Sequence, residues 1–382
     1  MNLSLELLGS AHDIPAPEWN RLRRSTYPFL RHDFIAGLED ARCTTAESGW
    51  TPMHLCLRDG DRAIAILPAW LKSHSYGEYV FDWSWADAWQ RMGLNYYPKL
   101  LTAIPFTPAT GPRLLHDPGL SEAQLWQTFA DLIPGVAQEL QLSSWHVLFP
   151  EQTAKQALES AGLHTRQQVQ FHWFNHDYQD FDDFLDGFAS RKRKALRRER
   201  RRVAEQGLSV NLRPGSELTG EDWQLFHRFY QMTYAKRSGH GGYLTREFFL
   251  EVLPRLGDQV LLALADNGDE AVAGALYFRD DDTLYGRYWG CVQEYDCLHF
   301  ETCYYQGIEY CIREGLKRFD PGAQGEHKIQ RGFEPTITES CHWIAQAELN
   351  DAVGKFTRDE QRHIAAYQEE ARGLLPFRQA ED

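Results

Sequence analysis

The sequence predicts an α/β (α+β) fold of two similar units, each a mixed and mostly antiparallel sheet flanked by helices. Its 382 residues exceed the length of one ordinary hydrophobic core and fit two domains. A β-hairpin pattern around Asp59-Gly60-Asp61 returns in the second half of the chain around Asn267-Gly268-Asp269, and both turns contain the glycine typical of reversing antiparallel strands. Several other short motifs are repeated in the same order on either side of these hairpins. The sequence therefore predicts a duplication of one α/β unit.

The repeated motifs divide the chain near Asp177. The matching pairs are Phe29–Phe34 with Tyr243–Phe248, Tyr76–Tyr79 with Tyr285–Tyr288, Tyr96-Tyr97 with Tyr304-Tyr305, and His172-Trp173 with His342-Trp343. We infer a first unit over residues 1–177 and a second over residues 178–382. Each unit is expected to contain a helical start, an antiparallel meander, a helix and closing strands.

The first unit contains a clear hairpin and a few candidate binding residues. The apolar stretch Met53–Leu57 predicts a strand, and Ala63–Ala65 begins the strand that pairs with it across the turn. Trp145–Phe149 predicts a closing strand. The candidate side chains of this unit are Glu78, Asp82, Trp83, Trp85 and Asp87, and Asp82 and Trp83 are its substrate-binding candidates.

The second unit opens with a predicted basic helix over about residues 181–206. Nine of the twelve residues from Arg191 to Arg202 are Lys or Arg, although the chain carries a net charge of −14. Apolar residues recur there at helical spacing: Phe181, Phe184, Leu185, Phe188, Leu196 and Val203. Most of the charges are expected to form a solvated face. So dense a cluster also favours a bound polyanion, for which Arg193, Lys194 and Arg197 are the candidates.

The remaining elements of the second unit lead to a polar loop. Leu284–Gly290 predicts an aromatic strand, His299 lies at the start of a helix that ends near Gly315, and Lys317–Phe319 predicts another strand. The loop Asp320–Lys328 follows and contains two glycines. Because sites usually lie in loops at strand ends, we predict that the second unit carries the active site.

The sequence argues against several classes of protein. No apolar run is long enough to span a bilayer, and Met1–Glu6 has neither a basic leader nor an apolar signal segment, which predicts a cytoplasmic protein. The seven cysteines form no Cys-x-x-Cys pair and are interpreted as reduced thiols, and no metal site is predicted. Nucleophile-elbow, phosphate-loop and dinucleotide-binding motifs are absent.

Several stretches together resemble a known family. They are residues 76–82, 96–100, 105–115, 190–200, 283–290, 298–306, 319–333 and 342–343. They are similar to the Fem-type peptidyltransferases, in which two units of the Gcn5-related N-acetyltransferase (GNAT) fold lie side by side. More narrowly, they resemble the bacterial Fem-like proteins of peptidoglycan biosynthesis or recognition. The resemblance extends over most of the chain.

The resemblance implies an N-acyltransferase. Such an enzyme transfers an aminoacyl group from aminoacyl-tRNA, or an acyl group from acyl-CoA, to an amine such as that of a peptidoglycan precursor. tRNA is then a candidate partner, and neither donor is a permanently bound cofactor. Attack of an amine on an activated carbonyl needs a base and a proton donor. Glu326 or His327 is the expected base, and Tyr285 or Tyr304 the proton donor; a Glu326–Lys328 ion pair would keep that carboxylate ionised.

The resemblance also implies cationic anchors. Arg287, Lys328 and Arg331 are expected to bind phosphate or carboxylate, with His299 and Glu301 as further substrate-binding candidates. The chain departs from the family in two places, since no clear Gln/Arg-x-x-Gly-x-Gly/Ala loop precedes a helix and no long charged helical hairpin is present. The first departure weighs against CoA and the second against tRNA, so the donor stays open.

A second hypothesis is a non-catalytic protein that holds a cell-wall peptide or glycan in the same cleft. Trp83, Trp85 and Trp289 would form aromatic walls suited to a sugar or a stem peptide. A bound acyl donor, or transfer from aminoacyl-tRNA or acetyl-CoA, discriminates between the hypotheses. The sequence leaves the oligomeric state open.

Overall fold

The computed structural model describes residues 3–323 and 325–378, so the loop residue Gln324 lies outside the described residues. The chain divides into two units, each assembled from separate stretches of sequence. Unit 1 comprises Met1–Val169 and Ile337–Ala366, and unit 2 comprises Gln170–Thr336 and Tyr367–Asp382. After most of unit 2, the chain returns to unit 1 at Ile337 and then to unit 2 at Tyr367. The repeated motifs do not predict these returns.

Strands and helices alternate along much of the chain. The strands are β1 (Leu3–Leu8), β2 (Trp50–Pro52), β3 (His54–Asp59), β4 (Arg62–Leu67), β5 (Trp70–Lys72), β6 (Lys99–Thr102), β7 (Leu115–His116), β8 (Ser144–Leu148), β9 (His164–Phe174), β10 (Ser209–Pro214), β11 (Val260–Asp266), β12 (Ala271–Arg279), β13 (Thr283–Cys291), β14 (Arg318–Asp320) and β15 (Glu334–Ile344). The helices are α1 (Ala16–Arg21), α2 (His32–Asp40), α3 (Trp83–Arg91), α4 (Glu122–Leu140), α5 (Gln152–Ser160), α6 (Phe181–Asp186), α7 (Ser190–Glu205), α8 (Gly220–Ser238), α9 (Leu298–Phe300), α10 (Gln306–Glu314) and α11 (Ala347–Arg372). Short 3-10 segments cover Ala11–Asp13, Pro28–Leu30, Gly215–Glu217, Leu253–Gln259 and Glu326–Arg331, and π-helical turns cover Phe248–Val252 and Glu301–Tyr305.

Within its described residues, unit 1 contains two sheets. One has the strand order β1-β3-β4-β7, with antiparallel neighbours. The other has the order β2-β5-β6-β8 and continues to the part of β15 that belongs to this unit. In this second sheet β6 and β8 are parallel, with Leu100 opposite Trp145, and helix α4 lies in the connection between them.

Unit 2 is built on an antiparallel meander of β10, β11, β12 and β13. Strand β13 then pairs in parallel with β14, with Leu284 opposite Phe319. Strand β14 pairs antiparallel with the part of β9 that belongs to this unit, where Phe319 is opposite Trp173. Helices α9 and α10 lie in the connection from β13 to β14.

A parallel strand pair joined through a helix is therefore common to both units. Parallel strands cannot be joined by a tight turn and need such a crossover, whereas the antiparallel neighbours around them are joined more directly. The mixed, mostly antiparallel sheets agree with the predicted fold class. The predicted helix end at Gly315 is also confirmed, because this glycine caps α10 with a left-handed φ of 69°.

Both predicted hairpins are confirmed. Leu57 lies opposite Ala65 across the first turn, and Ala263 lies opposite Ala275 across the second. The turn glycines Gly60 and Gly268 have φ values of 62° and 93°, which non-glycine residues rarely adopt.

The tyrosine motifs repeated in the sequence adopt different structures in the two units. Tyr285–Tyr288 lies in strand β13, whereas Tyr76–Tyr79 forms a turn after β5. Tyr304-Tyr305 lies in a π-helical turn, whereas Tyr96-Tyr97 leads into β6. Strands β6 and β13 are each the first strand of a parallel pair joined through a helix, so they occupy equivalent positions in the two units. The repeated tyrosine motifs therefore do not lie at equivalent positions in the two units.

The predicted helix over residues 181–206 is two helices, α6 and α7. Between them Phe188 forms a backbone bridge with Phe377, and the N–H of Ala189 donates to the carbonyl of Pro376 at 2.9 Å. These bonds take the connecting residues off the helical path. The predicted apolar stripe is buried, with Phe181 the most exposed member at 8%.

Each unit has its own hydrophobic core. In unit 1 Trp126, Phe129 and Ile133 of α4 pack with Trp145 of β8, and in unit 2 Val203 of α7 packs with residues of β11 and β12. Burying one large apolar side chain contributes roughly 1.5–3 kcal/mol. Among the described residues, no helix is both long and apolar enough to cross a membrane.

Candidate active site

Strands β13 and β14 of unit 2 pair only at their first residues, and the candidate site lies where they separate. Thr283 lies opposite Arg318 and Tyr285 opposite Asp320, where β14 ends, while β13 continues to Cys291. The loop after Asp320 lies against β13, because a Cβ added to Gly286 would be 3.4 Å from the Cα of Pro321. The sequence-predicted loop therefore follows a strand end, where binding residues are often found.

A buried ion pair fixes the start of this loop. The Arg287 guanidinium donates to both carboxylate oxygens of Asp320, at 3.2 and 2.9 Å, and the two side chains are 2% and 1% exposed. The N–H of Gly322 also donates to Asp320 Oδ1 at 3.0 Å. Burial alone would raise the pKa of Asp320, but Arg287 and His172 outweigh it and hold the pKa well below its usual range. Arg287 thus holds the loop, and its predicted contact with substrate stays a prediction.

His327 and Tyr304 form the central polar contact of the site. The Tyr304 hydroxyl lies 2.8 Å from His327 Nε2, and the His327 ring packs 5.7 Å from Phe300 and 6.1 Å from His299. Loss of solvent around the ring, with the charges of Arg331 and Lys328 added, lowers the pKa of His327 to about 4. Burial raises the pKa of Tyr304. At neutral pH the imidazole is therefore neutral and the phenol is protonated.

The Lys328 side chain bonds backbone carbonyls of the loop that follows β14. Its side chain is buried, and its Nζ donates to the carbonyl of Gly322 at 2.7 Å and, more weakly, to that of Pro321 at 3.5 Å. Burial lowers the pKa of Lys328 to about 7, with Asp320 opposing and Arg287 adding to the shift. A substantial fraction of the side chain is therefore an uncharged amine at neutral pH.

Glu326 points away from Lys328. It begins the helical turn Glu326–Arg331, is exposed, and accepts a hydrogen bond from the Tyr367 hydroxyl at 2.6 Å. The expected Glu326–Lys328 pair is therefore not formed: Glu326 bonds Tyr367, and Lys328 bonds the carbonyls of Pro321 and Gly322. The helical turn explains this, because consecutive residues on it point in different directions.

Arg331 connects the site to the basic helix α7. It donates to Glu199 of that helix at 2.8 Å, to the Tyr305 hydroxyl at 3.1 Å and to the carbonyl of His327 at 2.7 Å. Its guanidinium lies 3.4 Å from the centre of the Phe300 ring. These contacts hold the backbone of His327 in place.

Tyr285 and Glu301 have separate surroundings, whereas His299 joins the group around Tyr304. The Tyr285 hydroxyl donates to Asp280 at 2.7 Å, and Glu301 accepts from Arg200 at 2.8 and 3.0 Å. His299 packs between Trp289, at 5.3 Å, and Tyr304, at 5.4 Å, and burial lowers its pKa to about 3. Of the predicted residues, the structure brings together His299, Tyr304, His327, Lys328 and Arg331.

The basic helix α7 has two kinds of cation. Arg193 pairs with Asp186 at 2.7 Å and Arg197 with Asp182 at 2.8 Å. Three other exposed cations lie at positions i, i+3 and i+7 and share one face: Arg191, Lys194 and Arg198. Among the described residues these three have no ion-pair partner. Of the predicted polyanion contacts, Lys194 belongs to this face.

Unit 1 buries a second charged cluster, which includes the sequence candidates Glu78 and Asp82. The Lys99 ammonium donates to Ser75 Oγ at 2.9 Å, to Glu78 Oε2 at 2.8 Å and to Asp82 Oδ2 at 2.5 Å. Burial alone would lower the pKa of Lys99, but Glu78 and Asp82 outweigh it and raise the pKa. Trp83, the other predicted substrate-binding residue of this unit, begins α3 and is 40% exposed.

Two imidazoles extend this cluster. The Tyr96 hydroxyl, which also donates to Asp82, lies 3.3 Å from His146 Nε2, and His146 meets His342 through their Nδ1 atoms. Ser144 and Ser340 each lie 2.8 Å from the Nε2 of one ring. Burial lowers the pKa of His146 to about 3. Both rings are therefore neutral members of a buried hydrogen-bond chain.

Several residues of these networks have no predicted role: Asp320, Glu199, Lys72, Lys99, His146 and His342. A lysine that opens an apolar strand, as Lys99 does before Leu100-Leu101, is a signal that could have identified one of them. The carboxylates that pair with it, Glu78 and Asp82, were candidates from the sequence, but their pairing with Lys99 has no local signal. Among the described residues no group of three His, Cys, Asp or Glu side chains is arranged to bind a metal ion.

Comparisons with known proteins agree on the family. The FemAB-like family model, described as peptidoglycan biosynthesis/recognition, matches residues 10–379. Curated proteins gave no significant match.

Solved structures agree on the fold. The C-terminal domain of a putative lysylphosphatidylglycerol synthetase from Agrobacterium fabrum aligns with a TM-score of 0.51 and 12% identity, over 88% of this chain and 94% of that one. FemX aligns with a TM-score of 0.48 and 13% identity, over 83% and 93% of the two chains. A tandem GNAT protein from the clavulanic acid biosynthesis pathway aligns with a TM-score of 0.45 and 12% identity, over 90% and 99%. The predicted mixed α/β fold class is confirmed.

Proposed function

Because the chain belongs to the FemAB-like family, we propose that it is an N-acyltransferase. It transfers an aminoacyl group from aminoacyl-tRNA, or an acyl group from a CoA thioester, to an amine. A peptidoglycan precursor is the acceptor that the family description suggests. Either donor is a co-substrate and leaves after each turnover.

One observation carries this proposal: a neutral imidazole, on the helical turn that follows β14 in unit 2, is bonded to a tyrosine. His327 is within hydrogen-bond distance of Tyr304, and its lowered pKa keeps the ring unprotonated at neutral pH, the state that a base requires. Glu326 is bonded to Tyr367 instead. We therefore assign the base to His327, from the two candidates that the sequence offered.

The proposed reaction needs one proton acceptor. The neutral amine attacks the carbonyl carbon of the donor, a C–N bond forms, and the nitrogen acquires a positive charge. This nitrogen gives its proton to His327. The bond from the carbonyl carbon to the leaving oxygen or sulfur then breaks, and His327 returns the proton to the leaving group. Tyr304 acts as a positioning residue that holds the imidazole.

The cations Arg331 and Lys328 support the assignment of His327 as the base. Arg331 bonds the backbone of His327, and the charges of Arg331 and Lys328 favour the uncharged imidazole. Phosphate groups of either donor suit the exposed cations of α7: Arg191, Lys194 and Arg198.

Acyl transfer from two labelled donors tests the proposal. Purified protein is incubated with acetyl-CoA or with charged tRNA and a panel of primary amines, and the N-acylated product is detected by mass spectrometry. We expect transfer from one donor class and a loss of about a hundredfold in His327→Ala, the lower range for losing a positioned general base.

His176→Ala is the matched control, because His176 is an exposed histidine of the same unit, with a side chain 62% exposed. It is expected to retain full activity. If the wild-type protein transfers an acyl group from neither donor, the non-catalytic binding hypothesis is favoured instead. A fully active His327→Ala would remove His327 from the reaction.

A further inference from the structure

Unit 2 contains an open cavity beside helix α8. Its volume is about 780 Å³, within the range of roughly 300–1,000 Å³ that is typical of small-molecule sites. One wall is the face of α8 that carries Arg228, and the other is the segment 241–246, which follows that helix. The described residues that line it include neither Tyr304 nor His327. The cavity is therefore a candidate binding site distinct from the proposed acyl-transfer site.

A buried tyrosine fixes the second wall of this cavity. The Tyr230 hydroxyl accepts hydrogen bonds from the N–H groups of Tyr243 and Leu244, at 2.9 and 3.1 Å. Gly242 has a φ of 98° and packs so closely on the Tyr230 ring that an added Cβ would overlap it. A glycine is needed for both reasons. These contacts build the wall into the fold, which reduces the ordering cost of binding a ligand.

A buried histidine lines the cavity without a hydrogen-bond partner. His227 of α8 is 7% exposed, and its ring packs 5.3 Å from that of Phe249. Among the described residues neither ring nitrogen has a partner, although buried polar groups almost always have one. Burial and the charge of Arg246 lower the pKa of His227, so the ring is uncharged at neutral pH and has one N–H to donate. A ligand in the cavity can accept that hydrogen bond.

The charged side chains of the lining favour an anion. Arg228 and Arg246 are both exposed, and within the part of the chain that the structure describes neither has an ion-pair partner. With Glu221, the carboxylate among the described lining residues, the formal charge is +1. The whole chain carries −14, so an excess of positive charge around one cavity is selective for an anionic ligand. Guanidinium groups bind carboxylates and phosphates through paired, charge-assisted hydrogen bonds.

Apolar side chains complete the lining. Leu225 and Tyr243 offer contacts for the carbon skeleton of a ligand. We propose that the cavity binds a small organic anion, whose carboxylate or phosphate group pairs with Arg228 and Arg246 and accepts a hydrogen bond from His227. This site does not depend on the proposed acyl transfer.

Four small ligands that share one aromatic ring test the proposal: benzoate, phenyl phosphate, benzylamine and benzyl alcohol. The full chain is titrated with each ligand, and binding is followed by saturation-transfer difference NMR. We expect saturable binding of at least one of the two anions, weakened by salt because the arginines are exposed. Benzoate and phenyl phosphate distinguish which acidic group the cavity prefers.

Two variants test the groups that hold the anion. Arg246→Gln removes a charged donor from an exposed position, where the fold is kept, and should weaken anion binding about tenfold or more. His227→Phe preserves the ring packing on Phe249 but removes the N–H, and should weaken binding about fivefold. Arg237→Gln is the matched control, because Arg237 is an exposed arginine of the same helix outside the lining. It should bind the anions like the wild-type protein.

Three results would overturn the proposal. The first is the absence of saturable binding of either anion up to about 10 mM. The second is binding of benzylamine or benzyl alcohol as tight as that of the anions, since the charge of the cavity would then select nothing. The third is anion binding that Arg246→Gln leaves unchanged, or that a folded His227→Phe leaves unchanged.

Discussion

Each unit buries a lysine close to its parallel strand pair, and the pKa values of these two lysines are shifted in opposite directions. Lys99 of unit 1 bonds two carboxylates and a hydroxyl, and its pKa is raised. Lys328 of unit 2 bonds two backbone carbonyls, and burial lowers its pKa to about 7. The same residue type, equally buried, is a permanent cation in one unit and partly an uncharged amine in the other. The two carboxylates that hydrogen-bond Lys99, and that Lys328 lacks, account for this difference.

The histidines of the two units differ in a similar way. His146 and His342 in unit 1 are fully enclosed by each other, by serines and by Tyr96. His327 in unit 2 reaches the surface and has a single side-chain hydrogen bond, to Tyr304. An imidazole that is neutral and open to solvent can exchange a proton with a substrate, whereas an enclosed one cannot. This difference favours unit 2 as the site of chemistry.

Removing each lysine in turn gives the largest expected effect. Lys99→Met leaves Glu78 and Asp82 buried without their cation, which should cost about 3–5 kcal/mol of unfolding free energy. Lys328→Met removes hydrogen bonds to backbone carbonyls and leaves Asp320 paired with Arg287, so it should cost about 1–2 kcal/mol. Urea denaturation followed by tryptophan fluorescence measures both. Equal losses in the two variants would show that the carboxylates of unit 1 do not depend on Lys99.

The pH dependence of transfer tests the state of His327. Because its pKa is lowered to about 4, the uncharged base persists as the pH falls from 8 to 5, and the ratio of wild-type to His327→Gln turnover should stay nearly constant over that range, since protonation of the amine acceptor lowers both rates alike. A histidine with an ordinary pKa of about 6.5 would lose roughly thirtyfold by pH 5. The rate under saturating donor is measured across this range. A decline centred near pH 6.5 that is absent in His327→Gln would mean that the imidazole is not held neutral by its neighbours.

The pH dependence of stability tests Lys328. With a folded pKa of about 7 and an ordinary value of 10.5, this lysine binds fewer protons in the folded than in the unfolded state between those pH values. Its contribution to stability therefore rises with pH across that window, by at most about 1.4 kcal/mol per pH unit, and is lost as the pH falls to 7. The difference in unfolding free energy between wild type and Lys328→Met should grow from pH 7 to pH 9. A constant difference would place the pKa of Lys328 near its ordinary value.

The smallest expected effect concerns the basic helix of unit 2. Replacing Arg193 and Arg197 with Gln removes two surface ion pairs and should change the unfolding free energy by less than about 1 kcal/mol. Replacing Arg191, Lys194 and Arg198 with Gln should be equally mild for stability but should weaken tRNA binding and flatten its salt dependence. Filter binding at two salt concentrations compares the two variants. Equal tRNA affinities in both would leave α7 as a solvated helix face.

Local signals in the sequence were sufficient for much of the fold. Both hairpins follow from turns whose glycines adopt left-handed conformations, and the end of α10 follows from Gly315. The buried stripe of α6 and α7 follows from helical spacing. The break between these helices was not predictable, because it depends on a backbone bridge from Phe188 to Phe377, far along the chain.

The sites were predictable only in part, for a similar reason. The loop from Asp320 to Lys328 was identified by its glycines and charges, but the partners of its side chains were not. Arg287 pairs with Asp320 across 33 positions, and Arg331 with Glu199 across 132. Such pairs depend on which strands become neighbours. The repeated tyrosine letters gave a false alignment because identical residues occupy a turn in unit 1 and a strand in unit 2.

Chemical rescue of His327→Ala by imidazole tests most directly the claim that unit 2 performs acyl transfer through this residue. Turnover is measured with the active donor, with and without added imidazole, for wild type, His327→Ala and Glu326→Gln. We predict that His327→Ala loses about a hundredfold and regains a large part of the loss with imidazole, while Glu326→Gln stays close to wild type. An unchanged rate in His327→Ala, or a loss that imidazole does not restore while Glu326→Gln is inactive, would contradict the account and assign the base to Glu326.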